Sequence, residues 1–347
     1  MALCVDIKKR LGDFHLNVKF EAENETLALL GSSGCGKSVT LRCISGIMTP
    51  DEGHIELDGR VFFDSDKKIN LSPQKRQVGF LFQQYALFPN MTVEQNIAAA
   101  VSDKKRRKDV VTEMLRAFRL EDEAQKRPDE LSGGQQQRTA LARILATNPQ
   151  ILLLDEPFSA LDSYLRSQLE LELMDTLSKF HGNVIWVSHD RGEVFRNCSR
   201  VCVVENGKSE PVVTMDSLFH DPGTESAARL SGCKNFVAVS PEGSIVKIPE
   251  WSVSLQCGRP VPNSVGSVGL RAHYFRFASL GEENAINCKV ERVIEDVFSE
   301  IIMLRPVGSR SDAPLIRMET QKELWSAQHD KESVTISIAP QDILLLR

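Results

Sequence analysis

Thr26-Leu27-Ala28-Leu29-Leu30-Gly31-Ser32-Ser33-Gly34-Cys35-Gly36-Lys37-Ser38 is the stretch that decides the fold. Its first five residues form a continuous apolar run, as a parallel strand buried on both faces requires. Residues 38–48 read as a helix. Between them, residues 31–38 satisfy G-x-x-x-x-G-K-[ST] in the strand-to-helix context that gives the motif meaning. Gly31, Gly34 and Gly36 let the backbone turn tightly, so that N–H groups here and at Ser32, Ser33 and Cys35 face inward on an anion. The following helix, entered through Val39, presents its positive end to phosphates. Lys37 supplies a point charge for the β- and γ-phosphates, and the Ser38 hydroxyl is a Mg²⁺ ligand.

Working outward, a second apolar strand at 151–154 ends in Asp155-Glu156, and a third at 184–187 ends at Ser188-His189. Asp155 is placed to hold Mg²⁺ through water, and Glu156 to polarise an attacking water as general base. The plainer reading, a solvated acidic turn, loses ground once a phosphate loop stands upstream on the same kind of sheet. Residues 3–7 and 14–20 read as short strands, 53–63 as strand–turn–strand around Asp58-Gly59, and 91–130, 136–147 and 163–180 as helical. Strands alternating with helices, with polar residues at strand ends, indicate an α/β fold with a parallel-sheet core.

The chain has 347 residues, enough for two domains. From about residue 233 long helices vanish and short alternating segments appear at 244–248, 252–256, 285–293 and 334–338, as in an all-β module. The expected division is 1–230 and 231–347. A formal net charge of −5 and 6% aromatic content exclude a global basic field or base-stacking surface, so no nucleic-acid partner is expected. The 8 cysteines include no CxxC pair and no zinc spacing, and read as small buried hydrophobes with reduced thiols. No apolar run approaches the roughly 20 residues needed to span a bilayer, and no signal peptide is visible. The basic run Lys104-Lys105-Arg106-Arg107-Lys108 reads as a solvated helix entry, with anionic lipid headgroups as the weaker alternative.

Between the loop and the acidic pair lies Leu131-Ser132-Gly133-Gly134-Gln135, followed by Gln136-Gln137-Arg138. It resembles the signature motif of ABC ATPases. The order of elements is similar to that family: phosphate loop, Gln83 after an apolar strand, LSGGQ, Asp155-Glu156, Ser159-Ala160-Leu161-Asp162, then His189. The resemblance covers about residues 1–230. It implies a P-loop ABC cassette of parallel-sheet core, antiparallel β subdomain and helical signature subdomain, with ATP as substrate and Mg²⁺ as cofactor. It also implies that Gln83 senses Mg²⁺ and the attacking water (Gln84 is the neighbouring alternative), that His189 contacts the γ-phosphate, and that Asp162 communicates across a dimer. The signature residues Ser132, Gly133, Gly134 and Gln135 would cover the nucleotide of a second, head-to-tail copy. Phe14 is chosen for adenine stacking, and is equally readable as a core phenylalanine. Glu23-Asn24-Glu25 departs from the usual glycine-bearing turn, but Asn tolerates the left-handed conformation.

QVGFLFQQYALFPNMTVEQNI and LSGGQQQRTALARILATNPQILLLDEPFSALD resemble the importer branch, and residues 64–76 resemble molybdate/sulfate-type ATPases. Val268-Gly269-Leu270-Arg271-Ala272-His273 and the segment 287–296 resemble the entry to an OB-like (TOBE) accessory domain. The resemblance implies a peripheral subunit on the cytoplasmic face of the membrane. It would bind integral-membrane permease subunits directly and serve an extracytoplasmic substrate-binding protein indirectly. Molybdate is the favoured cargo, with sulfate, tungstate, ferric iron, polyamines and sugars as alternatives. A soluble ABC ATPase acting on ribosomes or DNA is the competing reading. It is disfavoured by one cassette, net negative charge and the lack of a long heptad coiled coil.

Overall fold

A computed structural model describes residues 2–159, 163–328 and 332–347. The chain divides into two compact units, Met1–Met215 and Asp216–Arg347.

The first unit opens with the hairpin β1 (Ala2–Leu11) and β2 (Phe14–Glu23), in register from Leu11 opposite Phe14 to Ala2 opposite Glu23. Strict alternation in β2 buries Leu16, Val18, Phe20 and Ala22 on one face, which makes it half-buried and antiparallel. Asn24 then turns with φ 49°, the left-handed conformation expected of it, into β3 (Thr26–Leu30). Next come α1 (Lys37–Ser45), β4 (Glu52–Leu57), β5 (Arg60–Asp64), β6 (Ile69–Asn70), α2 (Pro73–Arg76) and β7 (Val78–Leu81). The segment 64–76 is therefore part of the fold. Arg76, fully buried, donates to the carbonyls of Cys43 and Ile44 at 2.8 Å each and so caps the end of α1.

The stretch expected to be helical over 91–130 is broken. It holds α3 (Val93–Ala100), α4 (Arg107–Ala117) and a single turn at Pro128–Glu130. Val101 leaves α3 in an extended conformation, its carbonyl accepting from the Arg107 guanidinium at 3.0 Å, which separates α3 from α4. Thr92 and Gln95 form a capping box on α3, and Arg119 adopts φ 52° just beyond α4. Then follow α5 (Gly133–Leu145), β8 (Ile151–Asp155), α6 (Ser163–Leu177), β9 (Asn183–Ser188), α7 (Arg191–Asn197), β10 (Arg200–Glu205), β11 (Lys208–Ser209) and β12 (Val213–Thr214).

The strands line up in the order β6-β5-β4-β1-β2-β11-β10-β3-β9-β8-β7, with β12 beside β10. The run β10-β3-β9-β8-β7 is parallel, and β8 and β9 are buried at every position. Each such Leu, Ile or Val side chain contributes about 1.5–3 kcal/mol. Register sets the consequence for function. Leu30 lies opposite Ser188, Asp155 opposite Val187 and Leu81 opposite Leu154, so four strands end at one edge and release their loops together.

The second unit begins with α8 (Met215–His220) and α9 (Glu225–Leu230), then β13 (Asn235–Ala238), β14 (Ser240–Glu242), β15 (Ile245–Ile248), β16 (Val253–Gln256), β17 (Ser267–Leu270), β18 (Arg276–Phe277), β19 (Ile286–Glu295), β20 (Ser299–Pro306), β21 (Ile316–Gln321), α10 (Lys322–Ser326), β22 (Ser333–Ser337) and β23 (Ile343–Leu346). Three antiparallel sheets result: β13-β17-β23, β14-β15-β16 and β18-β22-β19-β20-β21. They enclose Trp251, whose indole N–H donates to the Pro314 carbonyl at 2.7 Å. Buried Arg271 donates to the carbonyls of Phe219 (2.6 Å) and Ser231 (2.9 Å), and Arg259 pairs with Asp221. These bonds fasten α8 and α9 to the β sheets, which is why the division falls at Met215, earlier than the composition change indicates.

Candidate functional site

The turn after β3 is built on glycine. Gly34 and Gly36 have φ 80° and 109°, and Gly36 is the residue from which α1 starts. A Cβ on Gly31 would lie 2.2 Å from the Val204 carbonyl oxygen, and one on Gly36 would lie 2.4 Å from Leu16 Cδ1. Lys37, buried, donates to the carbonyls of Gly31 (2.7 Å) and Ser32 (2.8 Å), and Cys35 Sγ lies 3.6 Å from its Nζ. The three donors of the ammonium are thus all engaged within the loop, two on carbonyls and one on a weakly accepting sulfur, so this lysine braces the turn and the sulfur contact is the one a phosphate oxygen would replace.

Ser38, in the first turn of α1, donates to Asp155 Oδ1 at 2.9 Å. Burial raises the Asp155 pKa; the neighbouring Glu156 charge raises it further, while the Ser38 hydrogen bond opposes the shift. Hydroxyl and carboxylate oxygens side by side are hard donors of the kind Mg²⁺ takes. Among the described residues no group of three or more His, Cys, Asp or Glu forms a cage for a metal.

Glu156 follows β8 with φ 49°, and its N–H donates to the Val187 carbonyl at 2.9 Å. This corner brings one carboxylate oxygen 3.4 Å from Gln83 Nε2 and the other 3.3 Å from His189 Nδ1. Three loops, after β7, β8 and β9, thus meet on one carboxylate. Gln83, rather than Gln84, makes the contact.

Two further parts of the set lie apart from this cluster. Ser132 caps α5: its Oγ accepts from the Gln135 N–H, and Gln135 Oε1 accepts from the Ser132 N–H. Gln135 Nε2 donates to Glu123 at 2.9 Å. The capping box leaves Ser132 exposed at the positive end of a 13-residue helix, with Gly133 half-buried beside it. Phe14 is half-buried against the phosphate loop, its ring edge 3.1 Å from where a Gly36 Cβ would stand. Val39 packs at the edge of the main core. Asp162 lies outside the described residues.

Residues not singled out in the sequence support these loops. Arg143 on α5 donates to the carbonyls of Tyr85 (3.1 Å) and Ala86 (2.9 Å). Asn96, fully buried, accepts from the Phe88 N–H and donates toward the carbonyls of Phe88, Met91 and Thr92. Glu193 accepts from Trp186 Nε1 (2.6 Å) and Ser188 Oγ (3.1 Å), and that hydroxyl accepts from the Asp190 N–H, so Glu193 grips both sides of His189. Burial pushes Glu193 up to about 7. Asp190 caps α7 and pairs with Arg166, while Glu170 binds Arg196 and Asn197. In sequence each of these is an ordinary polar residue on a helix, with no local pattern to mark it.

An ABC transporter family model matches residues 15–159. The sulfate/thiosulfate import ATP-binding protein CysA of Mannheimia succiniciproducens is 32% identical over 359 residues, covering 99% of this chain and 97% of that protein. The spermidine/putrescine import ATP-binding protein PotA of Nitratidesulfovibrio vulgaris is 42% identical over 221 residues. That match covers 62% of this chain and spans only 58% of the relative's length. Among solved structures, a dimeric post-hydrolysis state of an ATP-binding cassette bound to ADP and Pi aligns with a TM-score of 0.52 and 29% identity. The alignment covers 62% of this chain and 99% of the cassette.

Proposed function

Because the chain belongs to the ATP-binding subunits of import-type ABC transporters, we propose that it hydrolyses ATP to drive a solute importer, and that the cluster on Glu156 is where hydrolysis takes place. The single observation carrying this reading is the meeting of Gln83 and His189 on the Glu156 carboxylate, beside the Ser38–Asp155 pair. The phosphate loop binds the triphosphate through backbone N–H groups at residues 31–38, the positive end of α1 and the Lys37 ammonium, which would exchange its Cys35 contact for a phosphate oxygen. Ser38, Asp155 and Gln83 would hold Mg²⁺, which neutralises charge between the β- and γ-phosphates. Glu156 takes a proton from water as its oxygen attacks the γ-phosphorus. The bond to the bridging oxygen breaks, giving ADP and phosphate. Gln83 orients that water, and His189 donates a hydrogen bond to the γ-phosphate. Phe14, beside the loop, is the adenine contact.

The Ser132–Gln135 cap, with Ser132 exposed, is an anion site. It closes over the nucleotide of a second copy, with Asp162 reporting across the interface. Closure on ATP and opening after hydrolysis move permease subunits, which place the chain on the cytoplasmic face of the membrane. An extracytoplasmic binding protein delivers cargo. Residues 231–347, the β-sheet part of the second unit, form an accessory OB-like domain.

The proposed cargo is an oxyanion, with molybdate favoured from the sequence. The sulfate-importer relative supports the class, since it matches across nearly the whole chain, while the polyamine-importer relative matches over 62% of it. Polyamine import is the second reading, favoured by the higher identity there. Uptake of labelled molybdate, sulfate and spermidine by cells with and without the gene separates them. Uptake of spermidine alone overturns the oxyanion assignment.

The catalytic reading is tested with Glu156→Gln. Turnover should fall by about 10²–10⁴-fold, with an ATP-dependent dimer accumulating on a sizing column. Unchanged turnover refutes the role of Glu156.

A further inference from the structure

The loop carrying Gln83 turns through two consecutive left-handed residues, Tyr85 (φ 59°) and Ala86 (φ 48°). Neither is glycine, and a bulky side chain at positive φ is a genuine outlier. Such a corner persists only where the surroundings over-determine it. Here the determining group is Arg143. Both Tyr85 and Ala86 carbonyls are turned toward its guanidinium, which donates one N–H to each. The Phe88 ring covers the same guanidinium, 5.2 Å from its centroid. Burial lowers the Arg143 pKa, in keeping with a desolvated cation whose hydrogen bonds are strong. On the far side of the corner, Asn96 holds Phe88, Met91 and Thr92. Strand β7 holds the near side up to Leu81. Only Phe82, Gln83 and Gln84 lie between the strand and the clamped corner, so the position of the corner sets the reach of Gln83.

We propose that Arg143 is a positioning residue for hydrolysis: it holds the Tyr85-Ala86 corner and thereby sets where the Gln83 carboxamide stands against Glu156. This rests on the role given to Gln83 under the proposed function. Its further consequence is mechanical. Arg143 rides on α5, whose first turn carries Ser132 and Gly133. A helix of 13 residues is about 20 Å of rigid rod. A tilt of the signature end therefore moves the guanidinium, and the guanidinium moves the water-orienting glutamine.

The test is steady-state ATPase of the full chain with Arg143→Met, Arg143→Lys, Gln83→Ala and the double variant Gln83→Ala/Arg143→Met, with thermal midpoints measured alongside. Arg143→Met should lower kcat about tenfold, with KM for ATP within about twofold of the parent. Arg143→Lys, which reaches one carbonyl, should lose less, and is read alone if the methionine variant does not fold. The double variant should be no slower than Gln83→Ala, because both changes disable one device. Full turnover in Arg143→Met, or a double variant slowed by the product of the single effects, overturns the inference. Full turnover in Gln83→Ala sinks the role of Gln83 and this inference with it. A slow Gln83→Ala beside a fully active Arg143→Met sinks this inference alone.

Discussion

Two loops leave the same edge of the parallel sheet, from strands separated by β9 and β8, and reach positive φ by different means. The turn after β3 uses glycine, at Gly34 and Gly36, where left-handed backbone carries no Cβ penalty. The turn after β7 uses Tyr85 and Ala86, which resist that conformation and are held in it by Arg143 and Asn96. The first is preorganised by its own composition, as a site that must accept phosphate repeatedly without refolding requires. The second is preorganised from outside, so its geometry follows whatever α5 does. A loop built on glycine binds. A loop held by a distant arginine can be coupled to something else.

The comparison is sharpened most by Gly31→Ala. Its Cβ would stand 2.2 Å from the Val204 carbonyl oxygen, a backbone atom that cannot swing aside. A destabilisation of about 3 kcal/mol is expected by urea unfolding, with loss of nucleotide binding. A stability within error of the parent would mean that the loop is not locked against β10.

The loop after β9 offers a third means, a buried acid, and its effect depends on pH. Glu193 is raised from 4.5 to about 7 by burial, ahead of the opposing bonds from Trp186 and Ser188. With a raised carboxyl, the stabilising form is the protonated one. Its contribution is complete below 4.5 and is lost as pH rises through about 7. Between pH 5 and pH 8 this group should cost about 2 kcal/mol of stability, a loss that Glu193→Gln does not share. Unfolding curves of parent and variant at the two pH values read the difference. Parallel pH dependence would show that the His189 loop is not held by a proton-sensitive carboxyl.

The smallest effect has the opposite sign. The Tyr85 hydroxyl is buried with no hydrogen-bond partner among the described residues. Tyr85→Phe should leave ATPase unchanged and raise stability by about 0.5–1 kcal/mol. A clear loss of stability would place a water or a polar partner on that hydroxyl.

The β3 turn and the buried strands β3, β8 and β9 were legible because their determinants are local: an apolar run, then glycines at fixed spacing, then a lysine. The interruption of the helical stretch at 101–106 was not legible. The apolar periodicity in Val110–Leu120 lies beyond the break and does not mark Val101, which turns extended at the end of α3 with its carbonyl bound by the Arg107 guanidinium. Gln83 and His189 were placed only through resemblance, since an isolated glutamine or histidine carries no local signal.

By itself, the sequence determined that a phosphate loop lies between strand and helix, that acids follow a buried strand, and that an all-β region succeeds the α/β region. These depend on backbone conformational preference and burial over a few residues. Tertiary structure alone decided that Arg143 would meet Tyr85 and Ala86, that Glu193 would bind Trp186 and Ser188 before His189, and that Arg271 would hold α8 and α9 in the second unit. Each of these is a hydrogen bond whose existence depends on how separate elements pack, and no short window of sequence encodes that distance.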